Sequence, residues 1–195
     1  MTISSATRDG VLLPKRIVLT GFMGAGKSTL GDLLARGLGW TFVDLDEEIV
    51  RAQQKSIADI FASIGESGFR ELERAALAQA LQRERIVLAL GGGAIETDAN
   101  RLLLKEDRET LLLYLEAPLD VLMARCEQQQ LENKVVRRPV LEKRAELAER
   151  FLRRRPLYES AHWTLHTTGR NPEEIVNAIL QQWKQTQWIE CGVST

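Results

Sequence analysis

Apolar residues along this chain follow two rhythms that alternate. Short unbroken runs stand at Ile17-Val18-Leu19-Thr20, Trp40-Thr41-Phe42-Val43-Asp44, Ile86-Val87-Leu88-Ala89-Leu90, Thr110-Leu111-Leu112-Leu113-Tyr114-Leu115 and Trp163-Thr164-Leu165-His166-Thr167. Runs this short, with little polar alternation, read as strands, the Ile86 run being covered on both faces. Between them, apolar residues recur three or four apart. Leu30, Leu33, Leu34 and Leu38 mark a helix over 28–38, and Phe69, Leu72, Ala76 and Ala80 mark a longer one over 66–83. A short helix opens at Ser56, placed to cap with Asp59 three residues on, and Gly65 ends it. Further helices are predicted over 97–105, from Pro118 onward, over 140–160, and over 172–184 with Pro172 in the first turn. Residues 128–136 are polar with weak periodicity and read as a loop; 1–14 and 189–195 read as frayed ends.

Strand and helix in strict alternation predict an α/β domain, a parallel sheet with helices on both faces. Ligands in such sheets gather at the carboxyl ends of the strands. The distinctive residues of this chain lie there: Gly21 onward, Asp44 with Asp46, and Gly91-Gly92-Gly93.

The first of these is the most specific. Gly21-Phe22-Met23-Gly24-Ala25-Gly26-Lys27-Ser28 fits G-x-x-x-x-G-K-[S/T] and sits between a strand and a helix, the setting that this phosphate-binding loop requires. Its backbone N–H groups, Gly24 to Thr29, would cradle phosphate oxygens at the positive end of the helix. Lys27 would reach the β- and γ-phosphates, and the Ser28 hydroxyl would ligate Mg²⁺.

Composition narrows what such a loop could serve. A length of 195 residues suits one domain, and 44% hydrophobic with 27% charged is the balance of a soluble globular chain. A net charge of −1 with both signs interspersed argues against nucleic acid as the main partner. No apolar run approaches a membrane span, and the first residues carry neither an export signal nor a convincing transit peptide. Cys126 and Cys191 stand alone, outside any C-x-x-C or His-bearing metal pattern, which fits a reducing cytoplasm. A monomer is the default in the absence of a long exposed apolar stripe.

The remaining polar constellations are ambiguous one at a time. Asp44 and Asp46 could be a turn followed by acidic residues at a helix start; beside a P-loop they read as an Mg²⁺-holding carboxylate and a proton acceptor. Arg70 and Glu73, three apart with Glu66 before them, could be a surface ion pair. Arg137-Arg138-Pro139 is either a solvated basic patch or an arginine carried on a lid to the transferring phosphoryl group. Of Arg153, Arg154 and Arg155, a helix can direct only one or two at a given site. Two P-loop classes are excluded. The only Asn-Lys, at Asn133-Lys134, is followed by Val135-Val136 rather than the aspartate of a GTPase, and the Ile86 strand runs into glycines rather than the Asp-Glu of a motor or transporter ATPase. A compact kinase for a small molecule remains.

Taken in order, GFMGAGKST at 21–29, FVDLDEEI at 42–49, SIADIFASIGESGFRELE at 56–73, LGGGAI at 90–95, RPVL at 138–141 and RRPLY at 154–158 resemble the shikimate kinase family over about 15–183. The resemblance implies a three-layer P-loop kinase fold. Its parts are a five-stranded parallel sheet, a substrate-binding helical segment and a lid, here at 127–140, within a single domain of 1–195. It implies transfer of the ATP γ-phosphoryl group to the 3-hydroxyl of shikimate, on the route to aromatic amino acids. It also implies site roles. Asp46, Lys27 and Arg138 are catalytic. Gly24, Ala25, Gly26, Lys27, Ser28, Thr29, Arg125, Arg138 and Arg170 bind ATP. Asp46, Phe61, Phe69, Arg70, Glu73, Gly91, Gly92, Gly93 and Arg154 bind shikimate, with Arg70 and Arg154 on its carboxylate. Ser28, and Asp44 through water, hold Mg²⁺. The partners implied are the two small-molecule substrates, with no nucleic acid and no membrane.

Two departures stand out: the segment 127–137 is longer than is common in the family, and Val140 replaces the usual leucine. The Gln- and Trp-rich stretch through Trp188 matches no family motif. Two rival readings stay open. One is a kinase for another polyol acid, such as gluconate or quinate. The other is a non-catalytic nucleotide switch, which would be expected to have lost Lys27, Asp46 or Arg138.

Overall fold

Five parallel strands form one sheet in the order β2-β3-β1-β4-β5: β1 (Arg16–Thr20), β2 (Thr41–Asp44), β3 (Ile86–Ala89), β4 (Thr110–Glu116) and β5 (Trp163–His166). The structure, a computed structural model, describes residues 14–132 and 144–191, with side chains for 14–129 and 144–183. All of β1 and β3 and nearly all of β4 are buried, which is why those runs lack polar alternation. β1 lies between β3 and β4, with Val18 level with Leu88 and Leu112. The predicted α/β class and all five strands are therefore present.

The helices are α1 (Lys27–Leu38), α2 (Leu45–Gln53), α3 (Ile57–Ala80), α4 (Asp98–Glu106), α5 (Leu119–Glu132), α6 (Arg144–Tyr158) and α7 (Pro172–Cys191), with a 3₁₀ turn at Ala94–Glu96. α1 packs on β2, β3 and α7. It can approach the sheet because Gly31 has no side chain: a Cβ there would stand 2.4 Å from the Phe42 ring. Trp40 and Trp183 meet edge to face at 5.5 Å, fastening the start of β2 to α7.

Several boundaries differ from the sequence reading, each for a local reason. Helix α2 has no range in the sequence reading, which offers its acidic start only as one of two readings of Asp44 and Asp46. Asp44 caps it by accepting from the N–H groups of Asp46 and Glu47, Asp46, Glu47 and Glu48 complement its positive end, and Leu45 and Ile49, one turn apart, are its buried contacts. Ser56 caps α3 through the Asp59 N–H as expected. Gly65, at φ 70°, breaks the α3 path into two helical parts, and the second ends at Ala80 rather than residue 83. The polar stretch from Gln128 is helical as far as Glu132, so the first part of the segment assigned to the lid continues α5. α7 runs to Cys191, past the predicted end at 184 and into the stretch read as frayed from 189.

Away from the carboxyl ends, Arg16 ties the strand starts together. Its guanidinium, 5% exposed as a residue, donates to both oxygens of Asp107, to Glu109 and to the Arg83 carbonyl. Burial pushes the Asp107 carboxyl up, but hydrogen bonds from Thr110 and Arg16 outweigh it and hold the carboxyl below its usual range. An aspartate depressed in the fold stabilises above its unfolded titration range and loses that contribution as pH falls through its folded one. Asp107→Asn is therefore expected to cost about 2 kcal/mol at neutral pH, with the deficit against wild type shrinking below about pH 4. Denaturant melts across pH check this; a deficit that persists unchanged at low pH excludes the charge as its source.

Candidate active site

The P-loop turns between β1 and α1 on three glycines with positive φ: Gly21 at 144°, Gly24 at 74° and Gly26 at 89°. The loop has no room for side chains either. A Cβ at Gly24 would stand 2.4 Å from the Leu122 carbonyl, and one at Gly21 2.8 Å from the Leu115 carbonyl. Gly26 caps α1 without a side-chain hydrogen bond, and no acidic residue lies in the first turn, so the positive end of the helix is uncompensated by its own sequence. Lys27 folds back over the loop, its Nζ 2.8 Å from the Gly21 carbonyl and 3.1 Å from that of Phe22. Ala25 is buried, while Ser28 and Thr29 are exposed.

Asp44 connects this loop to the next strand end. One carboxylate oxygen caps α2, and the other accepts from Ser28 Oγ at 2.9 Å. A carboxylate and a hydroxyl this close are hard oxygen donors of the kind Mg²⁺ takes when it keeps several waters and shares substrate phosphates. The donor set thus fits the ion that the sequence reading assigned to Ser28 and Asp44.

Asp46, the second residue of α2, faces the triple glycine, where a Cβ at Gly91 would stand 2.6 Å from its Oδ1. Gly92 carries the turn past Arg154, and its carbonyl accepts from the buried Tyr158 hydroxyl at 2.5 Å. Burial raises the Tyr158 phenol well above its usual range, so it remains a donor. At Gly93 two arginines converge: a Cβ there would stand 2.7 Å from Arg70 Nη2 and 3.0 Å from Arg154 Nη2. The glycines are thus required by what surrounds them, a carboxylate on one side and two guanidinium groups on the other.

Arg70 is held from behind. Glu73, 1% exposed, accepts from Arg70 Nη1 through both oxygens at 3.1 and 2.9 Å. Burial raises the Glu73 carboxyl, Arg70 pulls it down, and the nearby Asp46 charge adds to the rise. Arg154, 8% exposed as a residue, projects from α6 with its guanidinium 5.9 Å from the Phe22 ring. The apolar wall is Phe61 stacked on Phe69 at 4.5 Å, with the Arg70 guanidinium 5.6 Å from the Phe69 ring.

On the other side of the P-loop, Arg125 reaches from α5 to the end of β5, donating to the Thr167 hydroxyl and carbonyl at 2.9 and 2.7 Å. Arg170 is exposed three residues on, after the turn at Gly169. These two assigned residues therefore share one region, apart from the Arg70–Arg154 group. Arg138 lies outside the described residues. Of the three consecutive arginines, Arg154 turns inward, Arg153 reaches Glu96, and Arg155 pairs with Glu159 on the surface.

Two groups at the site were missed by sequence reasoning. Glu96 accepts from Arg154 Nη2 at 2.6 Å and from Arg153 Nη2 at 2.9 Å. Tyr158 is the other, although it lies within the RRPLY motif. No local signal marks Glu96 as a partner of residues 57 and 58 positions away.

The sheet order, the P-loop after its central strand and the carboxylate-and-arginine cluster opposite define a P-loop kinase of the small-molecule type. A sequence profile of the shikimate kinase family matches residues 23–184. Shikimate kinase from Salinibacter ruber is 42% identical over 179 residues, covering 86% of this chain and 84% of that protein. Among solved structures, shikimate kinase from Acinetobacter baumannii in complex with shikimate superposes with a TM-score of 0.77. It is 36% identical, and the match spans 90% of this chain and 96% of that one. A gluconokinase from Sinorhizobium meliloti, at 18% identity and a TM-score of 0.57, shares the fold. The chain belongs to the shikimate kinase family.

Proposed function

We propose that this chain transfers the ATP γ-phosphoryl group to the 3-hydroxyl of shikimate, giving shikimate 3-phosphate and ADP. The observation that carries the reading is the convergence of Arg70 and Arg154 at Gly93, with Asp46 at Gly91 on the same turn. Two guanidinium forks offer a planar match to a carboxylate. A ring lying against backbone that bears no side chains would bring its hydroxyl toward Asp46. Phe61 and Phe69 supply an apolar face for the ring carbons.

In this reading the P-loop amides and Lys27 stabilise the charge that spreads over the transferring group, and Asp46 orients the acceptor hydroxyl and takes its proton. Mg²⁺, held by Ser28 and through water by Asp44, would neutralise phosphate charge. Arg138, on a lid over 127–140, would approach the γ-phosphate on closure and help exclude water, which otherwise competes as acceptor. Arg125 and Arg170 would flank the adenine. Glu73 holds Arg70 in place, and Gly91 to Gly93 admit the substrate. The same reading takes 1–195 as one catalytic domain, monomeric and cytoplasmic. Among the described residues no helix is long and apolar enough to cross a membrane.

The test is ADP release with ATP and Mg²⁺, with and without shikimate, with quinate and gluconate as controls. Turnover is expected to require shikimate and to stop on chelation of the metal. Turnover driven by another acid would keep the kinase and replace its substrate. Turnover independent of any acceptor would overturn the proposal.

A further inference from the structure

The arginines assigned to the acceptor already hold a carboxylate. Glu96 lies in the 3₁₀ turn directly after the triple glycine, its side chain 20% exposed. Its Oε2 accepts from Arg154 Nη2 at 2.6 Å and stands 3.8 Å from Arg70 Nη2. Those are the same two nitrogens that converge at Gly93. Glu73 occupies Nη1 of Arg70 and the exposed Glu66 accepts from Nη2 at 3.2 Å, so both brace that guanidinium from its own helix, whereas Glu96 sits on the side where a bound carboxylate would accept. Burial alone would raise the Glu96 carboxyl, but hydrogen bonds from Arg154 and Arg153 hold it below its usual range, as an ionised partner.

Its second oxygen is engaged differently. Oε1 accepts from Nε and Nη2 of Arg153 at 3.1 and 2.9 Å, and Arg153 is 63% exposed. Glu96 therefore bridges one buried guanidinium and one at the surface.

We infer that Glu96 is an internal carboxylate that occupies Nη2 of Arg154, within ion-pair range of Arg70 Nη2, between turnovers and is displaced by the carboxylate of the acceptor, so that it sets the affinity for that acid. The inference rests on the reading that Arg70 and Arg154 grip the acceptor. Arg153 supplies the alternative partner: once the acceptor takes the Nη2 groups, Glu96 moves to full pairing with Arg153 and is not left bare. The exchange swaps one charge-assisted contact for another, and each arginine keeps an anionic partner in both states. In the free state the same contact keeps two like charges close together without a substrate present.

Steady-state kinetics on the full chain tests this. Glu96→Gln keeps the shape and removes the charge; it is expected to lower KM for shikimate about five-fold, the scale of a partly exposed charge pair. kcat and KM for ATP should move by less than about two-fold, a split that general loss of structure does not produce. Glu96→Ala should repeat the fall in KM if Gln folds poorly. Arg153→Ala removes the alternative partner and is expected to raise KM for shikimate. Arg154→Lys tests the underlying reading, with a large rise in KM expected. If Arg154→Lys leaves KM unchanged, the acceptor assignment and this inference both fall. If Arg154→Lys raises KM while both Glu96 variants leave it unchanged or raise it, Glu96 is a brace rather than a competitor, and the inference alone is overturned.

Discussion

Asp46→Asn is expected to lower kcat about a thousand-fold, within the range contributed by a positioned general base, while leaving nucleotide binding almost intact. The substitution is conservative where the structure is concerned. Asp46 contributes its backbone N–H to the Asp44 cap, and that bond survives a change of side chain. The capping carboxylate that reaches Ser28 belongs to Asp44, not Asp46, so the link between α2 and the P-loop also persists. An asparagine would fill the same space beside Gly91 and could still accept a hydrogen bond from a hydroxyl. What it cannot do is take the proton. The loss should therefore fall on kcat. A secondary effect runs through Glu73, whose carboxyl is raised partly by the Asp46 charge and should relax downward. Nucleotide affinity measured by titration separates the two steps. Near wild-type turnover in this variant would remove Asp46 from the proton-accepting role.

The parts of the fold and site legible in the sequence share a property: each is specified within a few residues. Strands β1, β3 and β4 were readable because burial on both faces leaves continuous apolar runs. The P-loop was readable because its glycines answer to geometry inside the loop itself, positive φ at Gly21, Gly24 and Gly26. Arg70 and Glu73 lie one helical turn apart, so spacing alone proposed them as a pair. Helix α2 was harder, since its cap, Asp44, also ends a strand and its acidic first turn reads equally well as a loop. The continuation of α5 through Glu132 was hidden because Gln128, Gln129 and Gln130 offer no apolar rhythm. Glu96 was beyond reach for another reason. It stands in a three-residue turn with no period, and its partners come from a helix more than fifty residues further on. Which of Arg153, Arg154 and Arg155 points inward likewise depends on how α6 is rotated against the 3₁₀ turn, which is a tertiary fact. The glycines at 91–93 fall between these cases. The sequence marked them as a turn or a close approach, and only the structure shows what approaches.

That last point gives the second large effect. Gly93→Ala is expected to raise KM for shikimate about a hundred-fold, the scale of an ångström-sized misplacement of binding groups, with KM for ATP and the fold little affected. Gly93 has φ −99° and ψ −9°, a conformation open to alanine, so the backbone itself is not strained. The new Cβ would instead meet Arg70 Nη2 at 2.7 Å, Arg70 Nη1 at 2.9 Å and Arg154 Nη2 at 3.0 Å. These are the far ends of long side chains, which can withdraw at small cost, unlike the fixed Leu115 carbonyl that a Cβ at Gly21 would strike at 2.8 Å. Withdrawal is nevertheless costly for function. Arg70 is tied through Nη1 to a buried Glu73, so it can retreat only by stretching those bonds or by rotating its fork out of line. Either movement separates the two guanidinium groups that must meet one carboxylate. Gly21→Ala is the contrasting variant: there the same methyl group, at φ 144° against a backbone oxygen, should destabilise the protein. Melting temperatures and the two KM values distinguish these cases. A Gly93→Ala enzyme that keeps its wild-type KM for shikimate would show that the acceptor does not bind where Arg70 and Arg154 converge.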